Sequence, residues 1–270
     1  MTHVSRPGRL VLLGHPVSHS LSPLLHGAAL ASAGLDIEYE AIDVAPARLE
    51  HEIRALVADG AAGNATIPHK EALAGLCDRL TPTAGLAEAV NVWWVEDGEL
   101  VGDNTDVAGF HALARRVLGC PPGCERVALI GAGGAAAAVL TAVGDWPESR
   151  VRVFNRDPAR ARRLCARYPD VARAETVIEE ALAGATMVVN ATPIGLLDEG
   201  FPVAVERIPE RAAVIDLVYR QGDTPFVRAA RERGHRAGDG LAMLVEQAAL
   251  SFQRWFGREP NRQAMWAAVT

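Results

Sequence analysis

A glycine-rich turn between an apolar strand and an alanine-rich helix is the clearest chemical signal in the sequence. The apolar residues 127–130 are followed by GAGGAA at 131–136, which fits the pattern G-x-G-x-x-G/A. The first glycine permits a tight turn, the second lets the backbone approach a pyrophosphate, and a small sixth residue permits close helix packing. The free N–H groups at the helix start favour the anion. We therefore expect a dinucleotide site, contacted by Gly131, Ala132, Gly133, Gly134 and Ala135.

The strand after this turn ends in residues that bear on which dinucleotide binds. Asn155, Arg156 and Asp157 follow residues 151–154, and Arg160 lies one helical turn later. An acidic residue here would select NAD through the ribose 2′-hydroxyl, whereas arginine suits a 2′-phosphate because the guanidinium matches phosphate geometry. We therefore expect NADP as the cofactor. NAD stays the alternative, because a carboxylate at Asp157 would repel a 2′-phosphate.

Polar residues of the N-terminal part stand where strands end or helices begin. They are Ser20, Ser22, Thr66, Lys70, Asn91 and Asp106. Hydride transfer to a carbonyl needs a group that exchanges a proton and polar groups that orient the substrate. A lysine at a helix start opposes the helix dipole, which suggests another use for Lys70. Spacing alone leaves ordinary roles open: Ser22 or Asp106 as a helix cap, and Lys70 as a solvated surface residue.

Strands and helices alternate along nearly the whole chain. We expect strands at 9–13, 38–44, 64–67, 90–95, 99–102, 127–130, 151–154, 187–190 and 214–217. We expect helices from Ser22 to near Gly34, at 46–59, from near Pro68, at 105–118, after the glycine-rich turn, and at 158–167, 224–233 and 241–256. The pure apolar strands and the βαβ order predict an α/β fold with a parallel sheet covered on both faces. The last helix could finish the second domain or return to the first.

Composition excludes several classes of protein. The chain has 270 residues, of which 49% are hydrophobic and 22% charged, as in ordinary globular proteins of about two domains. No apolar run reaches the ~18 residues of a membrane span, and the first residues do not resemble a signal peptide. The net charge of -6 argues against nucleic acid as a partner. The four cysteines lack zinc-site spacing, so we expect reduced thiols, no metal and a cytoplasmic location.

Several motifs in one order give the sequence a family resemblance. They are GHPVSHSLSP at 14–23, NATIPHK at 64–70, AVN at 89–91, DNTD at 103–106, the glycine-rich turn, NR at 155–156, NATP at 190–193, DLVY at 216–219 and GLAMLVEQ at 240–247. Together they resemble the shikimate dehydrogenase family (shikimate/quinate 5-dehydrogenases) over nearly the whole chain. The resemblance implies an NADP-dependent oxidoreductase of aromatic amino-acid biosynthesis, which reversibly reduces 3-dehydroshikimate to shikimate.

The resemblance also implies a role for individual residues. Lys70 and Asp106 would be the catalytic acid–base pair, and Ser20 and Ser22 would bind the substrate carboxylate. Thr66, Asn91, Tyr219 and Gln247 would complete the substrate pocket. Asn155, Arg156 and Arg160 would hold the adenosine phosphate, and Leu217, Gly240 and Met243 would lie near the nicotinamide. Because Gln247 lies on the last long helix, that helix should return to the first domain.

The implied architecture is a two-domain α/β protein. Residues 1–104 would form an N-terminal α/β substrate-binding domain, with 241–270 packing back onto it. Residues 105–240 would form a Rossmann-type NADP-binding domain. The expected partners are small molecules, and the chain would act as a monomer or homodimer.

Some residues depart from the family pattern and keep two alternatives open. Ala65 replaces the usual Val, Glu88 replaces Gly, Val92-Trp93-Trp94 replaces Thr and an aliphatic residue, and Asp157 replaces Thr. Because these residues neighbour the implied site, a relative that acts on quinate or an amino-substituted shikimate is the first alternative. The second is a non-catalytic NADP-binding relative, which the complete Lys70–Asp106 pair argues against.

Overall fold

The computed structural model describes residues 6–270. The chain divides into two compact units. The first unit contains the described residues up to Asp106 together with Leu244–Thr270, and the second contains Val107–Met243. The roles predicted for the two domains stay predictions at this point.

The helices and strands follow one another in a regular order. They are β1 (Arg9–Gly14), α1 (Ser22–Ser32), β2 (Tyr39–Asp43), a 3-10 turn (Pro46–Arg48), α2 (Leu49–Ala58), β3 (Ala61–Ala65), α3 (Lys70–Ala74), β4 (Arg79–Leu80), α4 (Pro82–Ala87), β5 (Val92–Glu96), β6 (Glu99–Asp103), α5 (Asp106–Leu118), β7 (Arg126–Ile130), α6 (Gly134–Gly144), β8 (Arg150–Phe154), α7 (Pro158–Cys165), β9 (Ala172–Glu175), α8 (Ile178–Leu182), β10 (Met187–Asn190), a second 3-10 turn (Val205–Arg207), β11 (Ala213–Asp216), α9 (Pro225–Glu232), β12 (Ala237–Gly238), α10 (Leu241–Phe256) and α11 (Arg262–Ala267).

The first unit is built on a mixed six-stranded sheet in the order β2-β1-β3-β5-β6-β4. Strand β1 pairs in parallel with β2 and β3, and the β5–β6 hairpin pairs antiparallel with β3. Helix α11 packs against α1, and on α10 the indole N–H of Trp255 donates to the carbonyl oxygen of Trp93 at 3.2 Å. The predicted return of the C-terminal helices to the first unit is therefore confirmed.

The second unit is built on a six-stranded parallel sheet in the order β12-β11-β10-β7-β8-β9. Neighbouring side chains of a strand point to opposite faces. On β7, Val127 and Leu129 join a core cluster with α5, α6 and α7, whereas Ala128 and Ile130 join a cluster with α8 and α9. Because both faces are covered, the strand is apolar throughout. The predicted α/β, Rossmann-type fold class is confirmed.

Some element bounds differ from the sequence predictions. Strand β3 covers Ala61–Ala65 rather than 64–67, because its small residues form a strand only through pairing with β1 and β5. The predicted helix at 46–59 begins with a separate 3-10 turn. Several short elements were not predicted, namely β4, α4, β9, α8, β12 and α11. Within residues 6–270, no helix combines the length and apolar character needed to cross a membrane.

Candidate active site

Lys70 and Asp106 form a close ion pair in the first unit. Lys70 is the first residue of α3 and Asp106 the first residue of α5. The Nζ atom of Lys70 lies 2.5 Å from Oδ2 of Asp106, and the two side chains are 15% and 6% exposed. The amino group of Lys70 thus lies close to solvent and beside a fixed carboxylate, a position that suits a general acid.

Asn91 connects this pair to its surroundings. Its Nδ2 donates to Oδ1 of Asp106 at 3.1 Å, to Oγ1 of Thr105 at 3.0 Å and to Oε1 of Gln247 at 3.1 Å. Its Oδ1 accepts from the backbone N–H of Thr105 at 2.7 Å. Two amide hydrogens therefore serve three acceptors, which leaves one hydrogen shared. The Asn91 amide thus fixes Oδ1 of Asp106, whereas Oδ2 of Asp106 faces Lys70.

Gln247 reaches the pair from α10. Its Nε2 donates to the carbonyl oxygen of Leu244 at 2.9 Å, which orients its Oε1 towards Asn91. One turn later, the backbone carbonyl of Gln247 accepts from the hydroxyl of Ser251. The structure thus brings together four of the predicted site residues: Lys70, Asn91, Asp106 and Gln247.

Three predicted substrate residues lie in the same unit without joining this network. Ser20 precedes α1, Ser22 is its first residue, and Thr66 follows β3. Thr66 donates its N–H to the carbonyl oxygen of Leu13 at 2.8 Å, which places it at the end of β1. In the described part of the chain, no side-chain hydrogen bond joins Ser20, Ser22 or Thr66 to Lys70.

One alternative role of Ser22, that of helix cap, is wrong. The N-cap of α1 is Leu21, which makes no side-chain cap bond. Instead the hydroxyl of Ser20 accepts from the backbone N–H of Ser22 at 3.2 Å. Ser22 is the first residue of the helix and is buried, so the chain enters the helix one residue earlier than the Ser-Pro pattern predicts.

His69 anchors the start of the short helix that carries Lys70. Its ring Nε2 lies 2.8 Å from the carbonyl oxygen of Val44, so this nitrogen carries the proton and donates it. Burial lowers the pKa of the His69 imidazole, which favours the neutral ring. A buried anchor matters here because five residues of helix have little stability of their own.

Four further residues support the network and were not singled out from the sequence. Asn64 donates to the carbonyl oxygen of Asn91 and to the hydroxyl of Ser251, both at 2.9 Å. Thr105 lies within hydrogen-bond distance of the same serine hydroxyl. Asp103 accepts from Nε of Arg254 on α10 at 2.7 Å. Asn64, Asp103 and Thr105 fall inside the quoted motifs, whereas Ser251 could have been found only by its one-turn spacing from Gln247.

The glycine-rich turn of the second unit has the backbone that a phosphate cradle needs. Gly131 adopts a φ of +119°, and a Cβ there would lie 2.7 Å from the carbonyl oxygen of Ala191. Only glycine satisfies both conditions. Ala132 to Ala135 are partly exposed, while Ala136 is fully buried against the sheet. Helix α6 begins at Gly134, so its first N–H groups are open to an anion.

Two arginines follow the neighbouring strand β8, one just after it and one in the first turn of α7. Arg156 and Arg160 are exposed and form no ion pair within residues 6–270. A guanidinium nitrogen of Arg160 lies 4.0 Å from where a Cβ of Gly133 would be, with no other atom that close. Asn155 donates from Nδ2 to the carbonyl oxygen of Asp157 at 2.9 Å. Open space above the second glycine, bordered by a free cation, fits a dinucleotide phosphate.

The remaining predicted cofactor residues follow β11 and precede α10. Leu217 and Tyr219 are partly buried, and Met243 is buried in the core cluster that contains α6. Gly240 approaches the backbone so closely that a Cβ would lie 2.3 Å from the carbonyl oxygen of Leu217. Among residues 6–270, no cluster of three His, Cys, Asp or Glu side chains could hold a metal ion.

Comparison with known proteins agrees with this arrangement. The family model "Shikimate dehydrogenase substrate binding domain" matches residues 12–93, and "Shikimate 5'-dehydrogenase C-terminal domain" matches residues 240–270. The shikimate dehydrogenase (NADP(+)) of Mesorhizobium japonicum is 43% identical over 263 residues, which cover 95% of this chain and 93% of the relative.

Solved structures give the same result. Shikimate 5-dehydrogenase of Thermus thermophilus, in complex with NADP(H) and shikimate, has a TM-score of 0.86 and 38% identity, covering 97% of this chain and 98% of its own. Quinate dehydrogenase of Corynebacterium glutamicum, in complex with NAD, has a TM-score of 0.85 and 28% identity, covering 97% and 98%. The resemblance of the motifs is confirmed, and this chain belongs to the shikimate dehydrogenase family.

Proposed function

We propose that this protein is an NADP-dependent oxidoreductase that reversibly reduces 3-dehydroshikimate to shikimate. The family membership supports the reaction class, since the curated relatives are shikimate dehydrogenases (NADP(+)). The observation that carries the proposal for this chain is the Lys70–Asp106 pair, with its 2.5 Å contact and low exposure. A lysine with low exposure, held against a carboxylate at the start of a helix, fits proton transfer better than simple binding.

In this proposal Lys70 is the proton donor. When bound, NADPH supplies the hydride. Nζ of Lys70 gives a proton to the carbonyl oxygen as that oxygen becomes an alkoxide, and takes the proton back from the hydroxyl in the reverse reaction. Asp106 holds Nζ in place and stabilises its charge, while Asn91 keeps the carboxylate oriented.

We assign the remaining polar residues to substrate orientation. The hydroxyls of Ser20 and Ser22 bind the substrate carboxylate, and Thr66, Asn91, Tyr219 and Gln247 bind its hydroxyl groups. The Asn91–Gln247 contact supports this assignment, because one hydrogen of the Asn91 amide is shared between two acceptors. A substrate hydroxyl that donates to one of these acceptors would end the sharing.

We assign the cofactor to the second unit. The 131–135 turn binds the pyrophosphate, Asn155, Arg156 and Arg160 bind the adenosine phosphate, and Leu217, Gly240 and Met243 border the nicotinamide. The guanidinium groups of Arg156 and Arg160 favour NADP over NAD. The carboxylate of Asp157 is engaged as the N-cap of α7, where it accepts from the N–H of Ala159 at 2.9 Å.

The biological setting is part of the same proposal. The partners are small molecules, and the chain acts as a monomer or homodimer. All four cysteines are free thiols, two of them exposed, which supports a reducing cytoplasm.

The departures from the family pattern give little support to a quinate or amino-shikimate substrate. Trp93 is fully buried in the core of the first unit. Glu88 has a φ of +46° at the end of α4, the left-handed region that glycine prefers. Both changes therefore concern packing and backbone rather than substrate. Quinate remains a useful competitor in the test because a quinate dehydrogenase is among the structural relatives.

The test is the change in NADPH absorbance with purified protein, with shikimate and quinate each offered with NADP and with NAD. We expect turnover with shikimate and NADP to have the highest kcat/KM. A higher kcat/KM with quinate would contradict the substrate, and a higher one with NAD would contradict the cofactor. Absence of turnover in all four mixtures would contradict the assigned reaction.

A further inference from the structure

A buried pair of polar residues lies beside the glycine-rich turn and has no role in the proposed reaction. Asn190 is the last residue of β10 and Asp216 the last of β11, and the two face each other in the sheet register. Nδ2 of Asn190 donates to Oδ1 of Asp216 at 2.8 Å. Because β10 pairs in parallel with both β7 and β11, this pair lies at the same sheet edge as Gly131.

Asp216 is fully buried and accepts hydrogen bonds from three segments. Besides Asn190, the backbone N–H of Val218 donates to Oδ1 at 3.1 Å and the hydroxyl of Thr224 donates to Oδ2 at 2.7 Å. Burial raises the pKa of Asp216 to about 6, although the hydrogen bonds of Thr224, Asn190 and Val218 lower it. A carboxylate in such an environment is tolerated only because its donors are fixed.

The backbone of residues 216–218, called here the 216–218 turn, is set by these bonds. The N–H of Leu217 donates to the carbonyl oxygen of Asn190 at 2.9 Å, and the N–H of Gly240 donates to that of Val218 at 2.9 Å. The close approach of Gly240 to the carbonyl of Leu217 leaves the turn no space to shift in that direction. Asp216 therefore holds one side of the turn and Gly240 the other.

We propose that Asp216 is a positioning residue that fixes the 216–218 turn for the nicotinamide half of the cofactor and has no influence on the adenosine half. This inference rests on the proposed function, which puts the nicotinamide beside Leu217 and Gly240. The pyrophosphate is assigned to the glycine-rich turn and the adenosine phosphate to Asn155 and the arginines after β8. None of these residues shares a hydrogen bond with Asp216 within residues 6–270. The two halves of the cofactor should therefore respond differently to a change at Asp216.

The experiment measures binding of two ligands by calorimetry. One is NADPH, and the other is adenosine 2′,5′-bisphosphate, which carries the adenosine and the 2′-phosphate without the nicotinamide. Asp216→Leu keeps the branching of the side chain at Cγ and removes all three accepted hydrogen bonds. We expect the Kd of NADPH to rise about tenfold or more, and the Kd of the bisphosphate to change less than about twofold.

Asp216→Asn is the matched control. Its amide oxygen can accept from Asn190 and Val218, and its amide nitrogen can donate to the hydroxyl of Thr224, which has a free lone pair. We expect near-native binding of both ligands by this variant. Equal weakening of both ligands by Asp216→Leu, or no weakening of either, would overturn the positioning role.

Unchanged binding of the bisphosphate also reports that the variant is folded. If Asp216→Leu does not fold, Thr224→Val keeps the shape of that side chain and removes the hydrogen bond to Oδ2 of Asp216. The same selective loss of NADPH is expected, and an equal change for both ligands overturns the inference. A native chain that bound neither ligand would overturn the proposed function itself.

Discussion

The carboxylate of Asp157 accepts a hydrogen bond from the backbone N–H of Ala159 at 2.9 Å. The residue that argued against NADP in the sequence is thus the N-cap of α7. A side chain used in this way is directed to its own helix. Its effect on a nearby phosphate should therefore be small and measurable.

Asp157→Asn should strengthen binding of adenosine 2′,5′-bisphosphate by up to about fivefold, because asparagine keeps the cap and removes an exposed like-signed charge. Calorimetry measures this, with adenosine 5′-monophosphate as the ligand that should not respond. Asp157→Ala should instead lower the free energy of unfolding by about 1 kcal/mol, through loss of the cap. A weaker bisphosphate affinity in Asp157→Asn would contradict the assigned phosphate site.

Lys70→Met should lower kcat by about 10²–10⁴, because it keeps the alkyl stem and removes the proton donor. Binding of NADPH should be unchanged. The measurement is steady-state turnover of shikimate together with the Kd of NADPH. Native-like kcat would remove Lys70 from the mechanism.

Adding Asp106→Asn to Lys70→Met should reduce kcat little further, because the two residues act as one unit. The single and double variants are compared in one series of turnover measurements. Multiplicative losses would mean that Asp106 acts independently of Lys70.

Arg156→Ala should weaken NADP binding much more than NAD binding, because only NADP carries the 2′-phosphate that the guanidinium would hold. The Kd of each dinucleotide is measured by calorimetry. Arg162→Ala is the control, since it removes an exposed arginine from α7, the helix that follows Arg156. Equal losses of NADP and NAD in Arg156→Ala would contradict the assignment.

His26 should make the protein less stable in acid. The ring is fully buried and stacks on Tyr39 with ring centres 4.2 Å apart. Burial lowers its pKa from 6.5 to about 3, so between these values the unfolded chain binds a proton that the folded chain does not. The contribution of this difference to the free energy of unfolding is fully present above pH 6.5. It falls by about 1.4 kcal/mol for each pH unit below 6.5.

His26→Phe keeps the stacked ring and removes the titration. From pH 7 to pH 5, the free energy of unfolding in urea should fall by about 2 kcal/mol more in the native protein than in the variant. Parallel pH dependence of the two proteins would show that His26 does not contribute.

Much of the architecture could be predicted from the sequence, because long apolar strands and the glycine-rich turn carry strong local signals. The motifs also identify Lys70 and Asp106, although the two residues stand 36 positions apart. The short strands β4, β9 and β12 have two to four residues each. Segments of that length show no periodicity and form only through pairing with neighbouring strands.

The buried network behind the active site could not be predicted for a different reason. Ser251 lies 187 positions from Asn64, to whose amide it is hydrogen-bonded. Such a contact depends on the return of α10, which the apolar spacing of residues 241–256 alone left undecided. The N-cap of α1 was mispredicted because Ser22 and Pro23 fit a common pattern, while the chain enters the helix one residue earlier.

The division of the chain also has a consequence for its synthesis. The second unit is one continuous segment, whereas the first is completed only by Leu244–Thr270. A nascent chain that ends before α10 lacks the partners of Asn64, Asn91 and Trp93. We therefore expect the usual order on the ribosome, in which the N-terminal domain matures first, to be reversed here. The second unit is synthesised before α10 and α11, so the Lys70–Asp106 site should gain its full support only after those two helices have been made.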